Sequence, residues 1–178
     1  MKLKLLCLVL GLQVAWIFWT VATQEFGLAR GETALLETRP VDPRDLLRGD
    51  YVILNYKISD LSRDLFQPRL TNQVPPGTDV FVVLEPRGKF HEAVHATLKR
   101  PDVAAGQLVL RGTSAHSWRA GSAVHIEYGL ERYYVAEGKG NPDGKLTVEI
   151  AVPRSGRAII KQVFINDRPY REVMGRKP

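Results

Sequence analysis

Asp42-Pro43-Arg44-Asp45-Leu46-Leu47-Arg48-Gly49-Asp50-Tyr51-Val52-Ile53-Leu54-Asn55-Tyr56-Lys57-Ile58 reads as a short helical turn, a glycine stop and a strand. Asp42 is a good N-cap and Pro43 suits the first helical position. Gly49 stands where a helix commonly ends in a left-handed residue. Beyond it Val52, Leu54, Tyr56 and Ile58 alternate with Ile53, Asn55 and Lys57, the period of a half-buried strand. The alternation directs Leu54 and Tyr56 to the core and leaves Tyr51 with Ile53 on the other face. Asp50, directly after Gly49, is placed to accept backbone N–H groups and hold the bend shut.

Working outward, two hairpins are legible. Residues 78–84 form a near-continuous run of β-formers. The stretch Glu85-Pro86-Arg87-Gly88 suits a turn, and residues 90–98 would return as its partner strand. Residues 146–152, the turn Pro153-Arg154-Ser155-Gly156 and residues 157–165 repeat the design. Residues 32–41 are expected to enter the domain as a strand, residues 107–112 and 123–128 read as further strands, and Asn166-Asp167 as a last turn. Residues 130–135 suggest a helical turn. Residues 59–76, broken by Pro68, Pro75 and Pro76, predict a long loop with at most one helical turn near residues 60–66. Residues 137–144 hold three glycines and a proline and predict a second loop. Frequent turn signals between short strands indicate a mainly β fold, a sandwich or a small barrel-like domain with one or two short helices.

Upstream of this domain, residues 5–22 carry no charge, and as a helix they would span about 27 Å, close to the hydrocarbon thickness of a bilayer. Trp16, Phe18 and Trp19 lie near the far end, where an aromatic belt sits, and Lys2 and Lys4 mark the other end as cytoplasmic. The expected organisation is a single transmembrane anchor at residues 1–23, a neck at 24–31, an extracytoplasmic β-rich domain at 32–174 and a frayed tail at 175–178. This puts the protein in the cytoplasmic membrane as a single-pass chain. The competing reading is a cleaved leader ending near Ala22, and bulky Trp19 beside that position favours the anchor.

Of the net charge of +6, two charges belong to Lys2 and Lys4. The remaining basic residues are spread along the chain rather than clustered, which argues against a nucleic-acid partner. The single cysteine, Cys7, lies in the apolar segment, so the domain has neither a disulfide nor a thiolate nucleophile.

Gly49, Asp50, Tyr51, Leu54 and Tyr56 spell G-D-Y-x-x-L-x-Y, and the chain resembles the family of membrane-anchored bacterial proteins named after that motif. Residues 42–48 and 128–138 share the resemblance, which covers nearly all of the chain after the anchor. It implies an envelope-located protein encoded beside multi-span membrane proteins. It carries no assigned catalytic residue.

Two enzyme readings stand beside a non-enzymatic one. His91-Glu92-Ala93-Val94-His95 is a literal H-E-x-x-H. On a helix both histidines would share a face and hold zinc, with Glu92 as the general base of an envelope zinc peptidase. The same residues also fit a strand, in which His91 and His95 share a face but stand about 13 Å apart, too far for one metal. Their place after a turn and a strong strand favours the strand. His116, His125 and Glu127 are the candidate further ligands. The second reading is a fold similar to type I signal peptidases, from the Arg48-Gly49-Asp50 strand entry. Their catalytic lysine would fall at Asn55 here, Lys57 comes two residues late, and the first serine is Ser59, so the catalytic pair is missing. Ser114 and His116 lack a nucleophile elbow, and Gly138-Lys139-Gly140 lacks the context of a phosphate loop. Tyr51, Tyr56, Tyr128, Tyr133 and Tyr134 suggest either half-buried packing or an aromatic binding surface.

No cofactor and no metal are expected. The favoured function is a membrane-tethered envelope domain that binds or assists another membrane protein, with the loops at 59–76 and 137–144 as candidate rims of a ligand site. If the glycine–aspartate bend is structural, Gly49→Ala and Asp50→Ala each lower stability by roughly 1–2 kcal/mol in denaturant melts. Parental melting combined with a lost phenotype would make the motif functional instead.

Overall fold

The computed structural model describes residues 2–39, 51–115, 123–135 and 144–175. The helical turn expected at 42–48, together with Gly49 and Asp50, lies outside the described residues.

The chain opens with α1 (Lys2–Arg30), which continues through the segment expected as a neck. Only Gly31 separates it from β1 (Glu32–Arg39). The motif strand comes in two pieces, β2 (Tyr51–Ile53) and β3 (Asn55–Tyr56). Then follow a 3-10 turn at Lys57–Ser59, β4 (Asp60–Ser62) and a second 3-10 turn at Arg63–Leu65. The long strands are β5 (Asp79–Arg87), β6 (Phe90–Thr97) and β7 (Leu108–Ser114). β8 (Ala123–Glu127) and β9 (Arg132–Tyr134) precede β10 (Leu146–Val152) and β11 (Ile159–Ile165). The short β12 (Arg168–Pro169) leads into α2 (Tyr170–Gly175). The protein is mostly β, as its turn spacing indicated.

These strands form two five-stranded sheets, β12-β11-β10-β1-β3 and β4-β8-β7-β5-β6, and a separate two-stranded ribbon, β2-β9. The motif strand makes the join. β2 pairs with β9 and β3 pairs with β1, so the strand changes partners at Leu54. There the Leu54 N–H donates to the Glu131 carbonyl at 2.8 Å. Val52, Leu54, Tyr56 and Ile58 are all buried, whereas Ile53 is exposed. The two-residue period therefore survives the change of partner. Buried hydroxyls lock the same place: Tyr56 donates to the Leu130 carbonyl at 2.8 Å and Tyr128 to the Ile58 carbonyl at 2.7 Å. Burial pushes both phenols above the usual tyrosine range, so both stay protonated donors. Leu36, Val80, Val82, Leu84, Leu110 and Ile150 close the core around this strand.

A second seam nearly closes the barrel. β1 pairs with β10 along residues 32–37, and β6 runs beside its opposite edge. The Leu35 N–H, directed away from β10, donates to the His91 ring Nδ1 at 3.3 Å. A side chain of β6 thus stands in for a strand pairing.

Three local expectations are corrected. The first hairpin does not turn at 85–88. Arg87 pairs with Phe90, and the turn is Gly88-Lys89 with Gly88 at φ 61°. A two-residue loop with glycine first matches the twist of paired strands, so Pro86 stays in the strand. Residues 130–135 do not form a helical turn: β9 occupies 132–134, because the edge of β2 recruits these β-forming residues. Residues 60–66 hold β4 and a 3-10 turn rather than a helical turn alone, with the Ser62 hydroxyl accepting from the Asp64 N–H at 3.4 Å. The second hairpin turns as expected, its Gly156 N–H donating to the Pro153 carbonyl at 2.8 Å. Asn166 and Asp167, both at positive φ, make the final turn.

Gly112 marks the closest approach in the second sheet. A Cβ there would lie 2.5 Å from Ile126 Cγ2 and 2.9 Å from the Glu127 carbonyl oxygen. Gly112→Ala should cost about 1–3 kcal/mol through overpacking. Tyr56→Phe should cost a similar ~1–3 kcal/mol, because it strands the buried Leu130 carbonyl. Urea denaturation of the full chain in detergent reads both; parental midpoints would remove these contacts from the account of the fold.

Candidate functional site

The outward face of the motif strand carries an aromatic cluster. Tyr51 and Tyr134 sit across the β2–β9 ribbon with ring centroids 6.1 Å apart, and the Arg132 guanidinium lies 5.5 Å from the Tyr51 ring. Tyr134 is 71% exposed. Of the motif residues described, Leu54 and Tyr56 therefore build the core, and Tyr51 contributes to a surface. Tyr133, its neighbour on β9, meets Tyr170 of α2 edge-on at 5.4 Å. Burial raises the Tyr170 phenol to about 12.

Beside this cluster lies a groove of about 580 Å³ walled by β9 and β11, with Arg171 of α2 on its rim. A second cavity, about 650 Å³ and more apolar, is lined by residues 66–75 and 97–101. The loop at 59–76, expected as a binding rim, thus does border a cavity. Phe66 forms its buried end through a bridge to Ala96, and the Gln67 N–H donates to the Ala96 carbonyl at 2.8 Å. Most of the other expected rim, 137–144, lies outside the described residues.

The H-E-x-x-H sequence is in strand β6, not on a helix. The expectation that its histidines share a strand face is corrected by a bulge. Val83 pairs with His95 and Leu84 with Ala93, so Val94 is an extra residue and the alternation slips by one. His91 keeps the face of Leu84 and turns to β1, while His95 falls on the face of Val83 and Glu92. Glu92 lies on the surface, 3.6 Å from Arg87. His125 is on β8, three strands from β6 in the sheet order, or roughly 14 Å along the sheet. His116 lies outside the described residues. Among the described residues, no three His, Cys, Asp or Glu side chains come together as a metal-ligating group.

The signal-peptidase comparison finds no geometry here. Lys57 is 56% exposed and ion-paired with Glu37 at 2.5 Å, far from the buried setting a neutral amine needs. Glu37 also holds Lys145, and these two ammonium groups, Lys145 first, keep its carboxyl below the usual range. Ser59 is buried. Ser114 is a pin: its hydroxyl donates to the Pro75 carbonyl at 2.6 Å and accepts the Thr78 N–H at 3.0 Å.

One polar cluster has no sequence signature. Asp60 and His125 are cross-strand partners in β4 and β8. Asp60 Oδ1 meets His125 Nδ1 at 2.7 Å, and Oδ2 meets the Arg39 guanidinium at 2.5 Å. Burial pushes the Asp60 carboxyl up, but the His125 ring and Arg39 outweigh it and hold it below the usual carboxylate range. A carboxylate orienting an imidazole is half of a hydrolytic set. Here both its oxygens tie three strands together.

Two pH windows follow. Burial holds the His91 imidazole below the ordinary histidine value, and its Nδ1 accepts a hydrogen bond only when unprotonated. The unfolded chain takes up that proton near pH ~6.5, so this contribution is complete above ~6.5 and drains as pH falls through the lower folded value. Asp60 adds a second loss, complete above about pH 4 and lost at more acid pH. Urea midpoints should fall as pH drops from about 7 to about 5, and His91→Gln should flatten that limb alone. An unaltered slope in His91→Gln would place the proton uptake at another group.

No curated protein and no solved structure matches the chain. The model of a family described as GDYXXLXY protein matches residues 13–163, from within α1 to β11. That span takes in the motif strand, the first long hairpin, the second up to residue 163 and the aromatic ribbon. By a match over most of its length, the chain belongs to the GDYXXLXY protein family.

Proposed function

We propose that this protein is a non-enzymatic, membrane-tethered binding domain. In this reading α1 crosses the cytoplasmic membrane and the β-domain works on the extracytoplasmic side, binding or assisting another membrane protein of the multi-span kind. Residues 1–23 are the anchor, 24–31 the neck, 32–174 the working domain and 175–178 its tail.

The observation that carries the reading is the state of α1. Lys4–Thr23 has a mean hydropathy of 2.1, and none of it is buried against the rest of the protein. Leu5, Leu12, Trp16 and Phe18 are each more than 60% exposed. Leaving such side chains in water forgoes about 1.5–3 kcal/mol apiece, so an apolar medium is their natural surrounding. Lys2 and Lys4 orient the short end towards the cytoplasm. The polar side chains of the domain also support the reading, because His91, Ser114, Asp60 and His125 are all engaged in holding strands together.

Full-length protein is expected to stay with membranes through alkaline carbonate and to leave them only in detergent. Protease added to right-side-out vesicles should remove the β-domain, and intact mass should include residues 2–23. A multi-span protein is expected to co-purify from the detergent extract. Recovery of the full-length chain in the soluble fraction would overturn the tether.

A further inference from the structure

The groove beside the aromatic cluster is walled by two strands whose outer edges have no pairing among the described residues. β9 pairs with β2 along one edge only. β11 pairs with β10 along its length, but it takes β12 only at Phe164 and Ile165, which leaves residues 159–163 open. β9 and β11 belong to different sheets and are not joined to one another. Open strand edges present rows of N–H and C=O groups that can template a further strand.

The chemistry of the walls narrows what fits. The buried floor includes Leu130 and Val163, and Tyr133 and Tyr134 add aromatic area. Among the described residues, three cations border the space, Arg132, Lys161 and Arg171, and no carboxylate lines it. Lys161 is answered from below by Glu149 at 2.9 Å. Arg171 has no ion pair among the described residues, and Arg132 rests on the Tyr51 ring rather than on an anion. An apolar floor under unneutralised guanidinium groups suits a segment that alternates apolar and acidic residues, since successive side chains of a strand point to opposite faces.

We propose that the β9–β11 groove takes up an extended acidic segment of a partner protein as an added strand. Its backbone hydrogen-bonds to the open edge of β11, and its carboxylates meet Arg132 and Arg171. This deepens the reading of the chain as a binding domain and rests on it. Backbone pairing supplies affinity in this mode, and the side-chain contacts supply selectivity.

The test uses the full chain in detergent micelles and a capped ten-residue peptide of alternating glutamate and valine. Controls are the lysine–valine peptide and a version with alternate residues replaced by proline, which cannot donate to a strand edge. Fluorescence anisotropy is expected to show the acidic peptide binding at least tenfold tighter than either control. Amide exchange should slow across residues 159–163 on binding. Arg132→Glu with Arg171→Glu, both at exposed positions, should reverse the preference towards the lysine peptide, while Arg132→Lys retains it. Equal binding of the proline peptide, absence of binding, or β11 edge amides already protected in the free chain would overturn the proposal; the last result would mean a segment of this chain fills the groove. Peptide failure with carbonate-resistant membrane association sinks the groove alone, and loss of that association sinks the tether whatever the peptide does.

Discussion

At Leu54 the motif strand leaves one partner and takes another, and most of the architecture hangs on that exchange. A strand that kept β1 as its partner throughout would add to the first sheet and leave β9 without its ribbon partner. By pairing first with β9 and then with β1, the strand belongs to the ribbon and to the first sheet in turn. The cost of such a break is exposed backbone polarity in a dry interior. It is met by the Leu54 N–H bond to Glu131 and by the Tyr56 and Tyr128 hydroxyls, which reach carbonyls on either side. Among the described residues no buried side-chain polar atom is left without a partner. The L and last Y of the motif are therefore residues of the joint. The first Y belongs to the surface that the joint displays.

Much of this was legible because it is local. Val52, Leu54, Tyr56 and Ile58 alternate in the sequence and are buried in the fold, and the partner change does not disturb the alternation. Both long hairpins come from β-formers flanking glycine turns. The failures are places where distant chain decides. β9 looked helical at 130–135 because nothing nearby says that the edge of β2, some eighty residues earlier, needs a partner. The face of His95 cannot be read from the alternation, because a single bulged residue, Val94, leaves no mark in the pattern yet inverts everything beyond it. The pairing of Asp60 with His125 spans 65 positions and has no signature that spacing could reveal.

The site chemistry follows the same division. An H-E-x-x-H sequence is a metal motif only on a helix, where both rings share one face. On bulged strand β6 it becomes a seam residue, a surface acid and a histidine facing the other way. Asp60, His125 and Ser114 have catalytic side chains in structural employment. Among the described residues, what stands open is shape and edge: the groove between β9 and β11 and the cavity under residues 66–75.

The junction of α1 with β1 has a mechanical corollary. Helix passes to strand across Gly31 alone, and β1 lies in the interior of the first sheet. There is no slack leash, so the body cannot roam. With the apolar window ending at Thr23, seven further helical residues lift the sheet only about 10 Å. With the proposed tether in place, a body on so short and stiff a stalk would search in two dimensions, sweeping a thin layer next to the lipid headgroups. In that proposed arrangement, a tug on a bound segment would pass straight down the stalk into the bilayer.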